Sequence, residues 1–249
     1  MLDKAARRIR YAVGNVVRFL SVPWRQWIIT PADATTIFGC GFGDDGWHHL
    51  RQTLREFDAD TSISAERTAL WRFLKNFQPQ HTLSLIGEDE GQLPLFVYPW
   101  GTFDRASRAG LKDPWISRFC GPSCDDFIHE EYRRTVKLYE LMRRDGYRPW
   151  QFPNSFIGGT LLIKEDDQRR FVVMQGNHRM AVLAHLGVQR IAVRAMPGHL
   201  PVVRERDVDR WPAVTSGLCT AEQARKLFRH FFDQSGQRII QMLDGPMAV

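Results

Sequence analysis

One continuous segment, residues 171–194, constrains the fold more than any other part of the chain; it reads FVVMQGNHRMAVLAHLGVQRIAVR. Residues 171–174 form an apolar run typical of a strand, and Gly176 follows where a sharp turn needs a flexible backbone. Residues 178–186 have the apolar content of a buried helix, and Gly187 suits its C-terminal end. The segment therefore predicts a strand, a tight turn, a buried helix and a second strand, in that order.

The turn at residues 176–179 has the chemistry of an anion-binding element. Asn177 can cap the predicted helix, whose first free amides then point out of its N-terminus, where the helix dipole also favours negative charge. His178 and Arg179 lie in the first turn of that helix and can add charge-assisted hydrogen bonds. The turn therefore predicts a phosphate-binding site. The alternative is an ordinary capped helix start with a surface arginine.

Helical patterns and loops alternate along the rest of the chain. Ser123 with Asp126 resembles a capping box, which predicts a helix over residues 123–145 that Gly146 ends. Glycine and proline residues predict a loop over residues 92–122. The other predicted elements are a strand at 35–38, helices carrying Leu50 and Leu70, strands at 157–163 and 190–196, a hairpin turn at 164–170 and a last helix at 221–232.

From about residue 130 to residue 196, the order of these elements resembles the ParB/sulfiredoxin fold. Proteins of that superfamily have a helix ending in glycine, a strand, a hairpin, and a G-x-[HR]-R turn that opens a helix ending in Leu-Gly. The matching pieces here are residues 132–146, 157–161, 176–179 and 186–187. The resemblance implies an α+β domain over residues 123–200, with a small mixed sheet and flanking helices. A helical or irregular region at 31–122 precedes it, and a helical tail at 201–249 follows.

The resemblance also implies a nucleotide cofactor. In this superfamily the turn holds nucleotide phosphates: ParB proteins bind and hydrolyse CTP, sulfiredoxins use ATP, and certain free-serine kinases use ADP. The expected cofactor is therefore ATP, ADP or CTP with Mg²⁺, and no metal site built from protein ligands alone is predicted. The implied cofactor-binding residues are Gly176, Asn177, His178 and Arg179 in the turn, and Gly158, Gly159 and Thr160 at the start of a strand.

Two departures from the superfamily narrow the activity. Sulfiredoxins have their catalytic cysteine where this chain has Asn177, which argues against sulfinic-acid reduction. ParB proteins have a glutamate there and a DNA-binding helical domain downstream, whereas here only residues 201–249 follow. What remains is nucleotide binding with phosphoryl transfer or hydrolysis.

Phosphoryl transfer needs positive charge around the phosphates and a group that orients the nucleophile. Arg179, His178 and Arg118 can supply the positive charge. A carboxylate near the start of the helix predicted at 123–145 can act as base or help to hold Mg²⁺. The acidic candidates are Asp125, Asp126, Glu130 and Glu131. We take Glu130, Asp126 and His178 as the catalytic candidates, although the spacing does not select one acid. Residues 117–126 either line the site or form an ordinary capped loop.

Positive charge is concentrated at the N-terminus. Lys4 and five arginines against Asp3 give the first thirty residues a net charge of +5, out of +6 for all 249 residues. The remaining body is nearly neutral, which argues against nucleic-acid binding across the fold. Residues 2–20 place apolar and basic side chains on opposite sides of a helix that Pro23 ends, a pattern that suits an anionic membrane surface. The alternatives are a helix packed on its own domain and a targeting peptide.

A glycine-rich stretch and nearby metal-ligand residue types give weaker signals. Residues 41–46 match GxGxxG, but a dinucleotide site also needs a second parallel strand, which the pattern downstream does not show. Four neighbouring residues are of types that bind metal ions: Asp44, Asp45, His48 and His49. We expect them to form a solvated helix start. The alternative is a metal site that one of them forms with distant partners.

The cysteines and a helical histidine are expected to have structural roles. Cys120 and Cys124 are predicted to be buried or half-buried free thiols, because a single pair at this spacing specifies neither zinc nor a redox motif. His185 is expected to pack within the buried helix or to satisfy a backbone group.

These patterns together predict a cytoplasmic, nucleotide-dependent phosphotransferase or NTP hydrolase that acts on a small-molecule or sugar-containing acceptor. Residues 1–28 would hold it peripherally at the membrane. The alternative is a non-catalytic nucleotide- or partner-binding module. A third hypothesis, a nucleic-acid-binding or nuclease-like relative of ParB, is disfavoured by the charge distribution.

Overall fold

The computed structural model describes residues 25–88, 93–101, 118–151, 156–233 and 235–244. Within those residues the chain forms a mixed sheet of six strands and seven α-helices. The predicted combination of a mixed sheet with flanking helices is confirmed. The amphipathic helix predicted at residues 2–20 lies outside the described residues.

The strands are β1 (Gln26–Ile29), β2 (Ala34–Thr36), β3 (Ile157–Ile163), β4 (Arg169–Gln175), β5 (Ile191–Ala195) and β6 (Val202–Arg204). The α-helices are α1 (His49–Ala59), α2 (Ala69–Asn76), α3 (Asp125–Asp145), α4 (Asn177–His185), α5 (Pro212–Thr215), α6 (Ala221–Asp233) and α7 (Gln237–Asp244). Short 3₁₀ helices are Pro31–Asp33, Ala65–Arg67, Thr82–Ile86, Pro149–Gln151 and Glu205–Arg210.

The centre of the sheet is the antiparallel hairpin of β3 and β4, in the strand order β1-β5-β3-β4-β2. All seven residues of β3 are buried, as expected for a strand with neighbours on both sides. β5 pairs in parallel with the first half of β3, and β6 pairs in parallel with its second half. Three strands therefore share β3 as their partner, and the predicted strand, turn, helix and strand at 171–194 are present as β4, α4 and β5.

The hairpin requires a close backbone approach at Gly159. The register shifts between Gly158 and Gly159. A β-carbon on Gly159 would lie 2.0 Å from the carbonyl oxygen of Val172 and 2.8 Å from two ring carbons of Phe171. Only glycine fits there. Strand packing therefore gives Gly159 a structural role, apart from the nucleotide-binding role predicted for it.

The two outer strands of the sheet come from the N-terminal region. β1 follows the predicted helix end at Pro23, and it pairs antiparallel with β5. β2 overlaps the strand predicted at 35–38 and pairs in parallel with β4. The sequence patterns predict no strand at residues 26–29, because a four-residue strand shows too little periodicity to be recognised without its distant partner.

The bounds of α3 and the C-terminal tail also differ from the predictions. The capping-box prediction from Ser123 is wrong: α3 has Cys124 as its N-cap residue, and no side chain hydrogen-bonds there. The Ser123 amide instead donates to the Leu74 carbonyl at 2.9 Å, which holds Ser123 in the preceding loop. The tail contributes β6, α5 and α7 in addition to the helix predicted at 221–232. Across the described ranges, every helix is too short or too polar to cross a bilayer.

Candidate functional site

The turn between β4 and α4 has the open helix start that the sequence predicts, with a different cap residue. Gly176 is the N-cap residue, with φ +91° and ψ 28°, and no side chain hydrogen-bonds to the cap. Asn177 is the first helical residue, so the prediction that Asn177 caps the helix is wrong. A left-handed backbone is costly for any residue except glycine, which explains why the cap is Gly176. Without a side-chain cap, amides of the first turn remain available to an anion.

Arg179 lies directly over this turn. A β-carbon on Gly176 would be 3.1 Å from Nη2 and 3.3 Å from Nε of Arg179. Burial lowers the pKa of Arg179, Tyr147 raises it, and the positive charges of Arg134 and Arg194 lower it further. Three guanidinium groups therefore act on one region at the start of α4, where charge repulsion among them favours a bound anion.

Arg194 is the β5 member of this cationic group. Its guanidinium carbon lies 5.5 Å from the centre of the Phe156 ring. Its Nε is buried and has no hydrogen-bond partner among the described residues. The Tyr147 hydroxyl bridges two nearby backbone groups: it accepts from the Ile157 amide at 3.2 Å and donates to the Ala192 carbonyl at 3.1 Å. Arg194 therefore keeps hydrogen-bonding capacity for a ligand.

A carboxylate and an imidazole meet beside the turn. Nε2 of His178 lies 2.9 Å from Oε2 of Glu131, with the side chains 18% and 14% exposed. The angle of this contact is outside the range of a good hydrogen bond, because Nε2 of His178 has no hydrogen-bond partner among the described residues. Oε1 of Glu131 accepts from Nη1 of Arg134 at 3.1 Å. Burial raises the pKa of Glu131, but His178 and Arg134 outweigh that effect, so the pKa is lowered and the carboxylate is ionised at neutral pH.

The other acidic candidates point elsewhere. Glu130 pairs with Arg133 at 2.9 Å on the exposed side of α3, and Asp125 pairs with Lys75. Asp126 is exposed. Of the four carboxylates near the start of α3, Glu131 is the one that contacts a side chain of the turn, and the catalytic roles of Glu130 and Asp126 stay predictions.

His48, which is buried, and His49, which is half-buried, complete the surroundings of the site, because the charge of His178 acts on both. The sequence patterns give them no part in this site. Ring centres are 4.3 Å apart for Phe42 and His48, 4.5 Å for His48 and His49, and 3.9 Å for His49 and Phe73. The prediction of a solvated helix start is confirmed for Asp44 and Asp45, which are exposed, and is wrong for His48, which is 1% exposed. Its Nδ1 accepts from the Leu50 amide at 3.1 Å and caps α1, so in the neutral ring Nε2 carries the proton. That Nε2 is buried with no hydrogen-bond partner in the described part of the chain.

This ring stack makes stability depend on pH. Burial, followed by the charges of His178 and Arg51, lowers the pKa of His48 to about 3. Burial, then His48 and His178, lowers the pKa of His49 well below its usual value. The unfolded chain therefore binds more protons than the folded one between about pH 3 and pH 6.5. Stability is full above pH 6.5 and falls as the pH drops through that window, by up to about 1.4 kcal/mol per pH unit for each histidine.

Urea unfolding at several pH values between 7.5 and 5 checks this dependence. His48→Asn keeps a capping side chain and removes the titrating ring, so its stability should fall less steeply on acidification than that of the unmodified chain. His129→Asn is the control, since His129 is 41% exposed and pairs with Glu66 at the surface. Equal slopes for all three proteins would contradict the expectation.

Three other residues predicted to bind the cofactor lie in β3 of the hairpin: Gly158, Gly159 and Thr160. The Thr160 hydroxyl donates to the Leu200 carbonyl at 2.9 Å. Gly158 faces the sulfur of Met196, 3.2 Å from the position of an added β-carbon. Arg118 is exposed. Thr160 thus faces the loop at Leu200, and it lines a cavity distinct from the turn at Gly176.

The glycine-rich stretch at 41–46 forms a different structure from a dinucleotide loop. The Arg51 guanidinium donates to the carbonyls of Phe42, at 3.1 Å, and of Gly43, and it pairs with Asp44. These carbonyls thus face a cation, whereas a pyrophosphate cradle would present amides. Within the described ranges, no group of three His, Cys, Asp or Glu side chains is arranged to hold a metal ion.

The predictions for the cysteines and His185 hold except at Cys124. No disulfide links the four cysteines; Cys40, Cys120 and Cys219 are buried, whereas Cys124 is exposed and was expected to be at least half-buried. Nε2 of His185 lies 2.7 Å from Oδ2 of Asp58, and its ring packs edge-on against Tyr139. His185 therefore packs in the helix as predicted, with a carboxylate as its polar partner.

No family model, curated protein or solved structure matches this chain.

Proposed function

We propose that the chain binds the phosphate groups of a nucleotide at the start of α4 and transfers or hydrolyses the terminal phosphate. The observation that carries this proposal is the helix start at Gly176, which has no side-chain cap and is covered by the guanidinium of Arg179. Arg134 and Arg194 add positive charge at the same place. Backbone amides, a helix dipole and fixed guanidinium groups are the donors that bind phosphate in proteins. The ParB/sulfiredoxin-like fold belongs to the same proposal, supported by the order of α3, β3, β4, α4 and β5.

Glu131 is the proposed general base. Its carboxylate, held ionised by His178 and Arg134, takes the proton of the acceptor hydroxyl as the hydroxyl oxygen bonds to the terminal phosphorus. The bond from that phosphorus to the bridging oxygen breaks, and the nucleotide leaves one phosphate shorter. Arg179 and the first amides of α4 balance the negative charge on the transferring group. With water as the acceptor, the same step is hydrolysis.

Mg²⁺ fits this scheme as a companion of the nucleotide. In phosphoryl-transfer sites Mg²⁺ is held by phosphate oxygens, waters and one or two carboxylates. Glu131 is the carboxylate beside the turn, and it already contacts His178, so the ion and this histidine would have to share it. The ion would neutralise charge on the phosphates, and no step here depends on a metal ligand from the chain.

The acceptor and location follow from the earlier predictions. A small-molecule or sugar-containing acceptor, and a cytoplasmic chain held at the membrane by the basic segment 1–28, remain parts of this proposal. The second candidate function is nucleotide binding without turnover. Phosphate release from ATP, CTP or ADP in the presence of Mg²⁺ separates the two.

Arg179→Ala tests the proposed phosphate site. Loss of a charge-assisted contact to phosphate is expected to weaken ATP or CTP binding by about 10- to 150-fold, measured by calorimetry. Arg133→Ala is the matched control, because Arg133 is 72% exposed and pairs with Glu130 away from the turn. Arg179→Lys, which keeps the charge, serves if the alanine variant does not fold, and it should bind more weakly than the unmodified chain. Unchanged affinity in the Arg179 variants, or no binding of any nucleotide to the unmodified chain, would refute the proposal.

A further inference from the structure

A cavity of about 280 Å³ lies beside the hairpin, apart from the turn at Gly176. The sheet contributes Val172 and Met174 to its wall, and α6 contributes Phe231. Three further aromatic side chains, Phe96, Tyr98 and Trp100, line it from the segment 93–101. No Asp, Glu, Lys or Arg is among the described residues that line it, and the one imidazole, that of His199, lies at its exposed edge beside Leu200. The wall is therefore apolar and largely aromatic.

The hydroxyl groups in this wall already have partners. The Tyr98 hydroxyl donates to the carbonyl of Ile37, and the Thr160 hydroxyl donates to the carbonyl of Leu200. A ligand with many polar atoms would lose its hydrogen bonds to water on entering and gain few in return. An apolar ligand has no such cost, because burial of its surface is itself favourable.

The aromatic rings are arranged with defined geometry around this space. Tyr98 and Trp100 are stacked with centres 5.5 Å apart, and Phe231 meets Trp100 edge-on at 6.0 Å. Phe96 has φ +66°, a left-handed backbone that bulky residues rarely adopt. Such conformations persist where the surrounding structure imposes them, and they concentrate at ligand-binding positions.

The rim provides a route for entry. Leu200 lines the cavity and is 49% exposed, and Gly198 beside it is also exposed. The cavity is nearly twice the size of the roughly 150 Å³ apolar cavity that binds benzene. A fused two-ring aromatic group therefore matches its volume, and edge-to-face contacts with the wall favour an aromatic ring over a flexible chain.

We propose that this cavity is a binding site for an uncharged bicyclic aromatic group of about the size of indole. The site is independent of the nucleotide proposed at Gly176, because the ligand makes no contact with the arginines there. Either proposal can fail while the other holds.

Calorimetry and thermal unfolding of the full chain with indole test the proposal, and 1-octanol is the aliphatic comparison. Indole is expected to bind and to raise the melting temperature in a concentration-dependent manner, more strongly than 1-octanol. Leu200→Trp places a larger side chain at the rim and should weaken indole binding at least about tenfold. Leu141→Trp makes the same substitution at a 39% exposed position on α3, and it should bind indole within about twofold of the unmodified chain.

Val172→Leu, which adds volume inside the cavity, serves as a second variant if Leu200→Trp does not fold, and it should also weaken binding. Absence of indole binding would overturn the proposal. Equal affinity in Leu200→Trp or Val172→Leu and in the unmodified chain would do so as well, since the ligand would then lie elsewhere. Tighter binding of 1-octanol than of indole would show that the site takes an aliphatic chain, and the aromatic assignment would be wrong.

Discussion

Gly159→Ala is expected to lower the free energy of unfolding by about 3 kcal/mol or more, or to prevent folding. The added β-carbon would lie 2.0 Å from the carbonyl oxygen of Val172, a backbone atom that cannot move without breaking the pairing of β3 and β4. The Phe171 ring, 2.8 Å from the same position and fully buried, has no free space to rotate into. Because β3 also pairs with β5 and β6, the disturbance reaches three strands.

Gly187→Ala is the control for this prediction. Gly187 has φ +73° and nothing within 4 Å of an added β-carbon, so alanine there costs only the left-handed backbone, about 1–2 kcal/mol. Urea unfolding of both variants gives the comparison. A Gly159→Ala protein as stable as Gly187→Ala would mean that the hairpin relaxes around the methyl group, and the close approach would not be essential.

Glu131→Gln is expected to reduce the rate of phosphate release or transfer by about 10²- to 10⁴-fold, the usual contribution of a general base. Glutamine keeps the size of the side chain and can still contact Arg134, but it cannot accept the proton. Nucleotide affinity should be retained, because the substitution removes a negative charge near the phosphates. The measurements are turnover with saturating nucleotide and Mg²⁺ and affinity by calorimetry.

Glu140→Gln makes the same change at an exposed position of α3 and should leave the turnover rate unchanged. Glu130→Gln distinguishes the two adjacent candidates, since Glu130 pairs with Arg133 on the exposed side of the helix. A large loss in Glu130→Gln together with normal turnover in Glu131→Gln would show that the wrong carboxylate has been assigned as the base.

The parts of the fold that the sequence predicts are those with strong local patterns. β3, β4, α4 and β5 follow one another with an apolar run, a glycine turn and a buried helix, and each was expected near its observed bounds. β1 and β6 have four and three residues and pair with strands far along the chain, so no local periodicity marks them. The N-cap residue of α3 is Cys124, one residue later than its capping pattern predicts, because the Ser123 amide bonds to the Leu74 carbonyl.

The site shows the same division between local and distant information. Gly176 and Arg179 can be recognised from four consecutive residues, because turn chemistry is local. Glu130 and Glu131 are neighbours on one helix, and only the packing of α3 against α4 reveals that Glu131 contacts His178. His48 and His49 enter through a ring stack between Phe42 and Phe73, which no spacing along the chain foretells.

The position of β1 and β2 at the two borders of the sheet has a consequence for synthesis of the chain. Both leave the ribosome long before β4 and β5, the strands with which they pair. At ordinary elongation rates that interval is on the order of ten seconds. During it, two short strand segments stay unpaired and open to association with other nascent chains. Any chaperone assistance would therefore matter most in this interval, before β4 emerges to pair with β2 and β5 emerges to pair with β1.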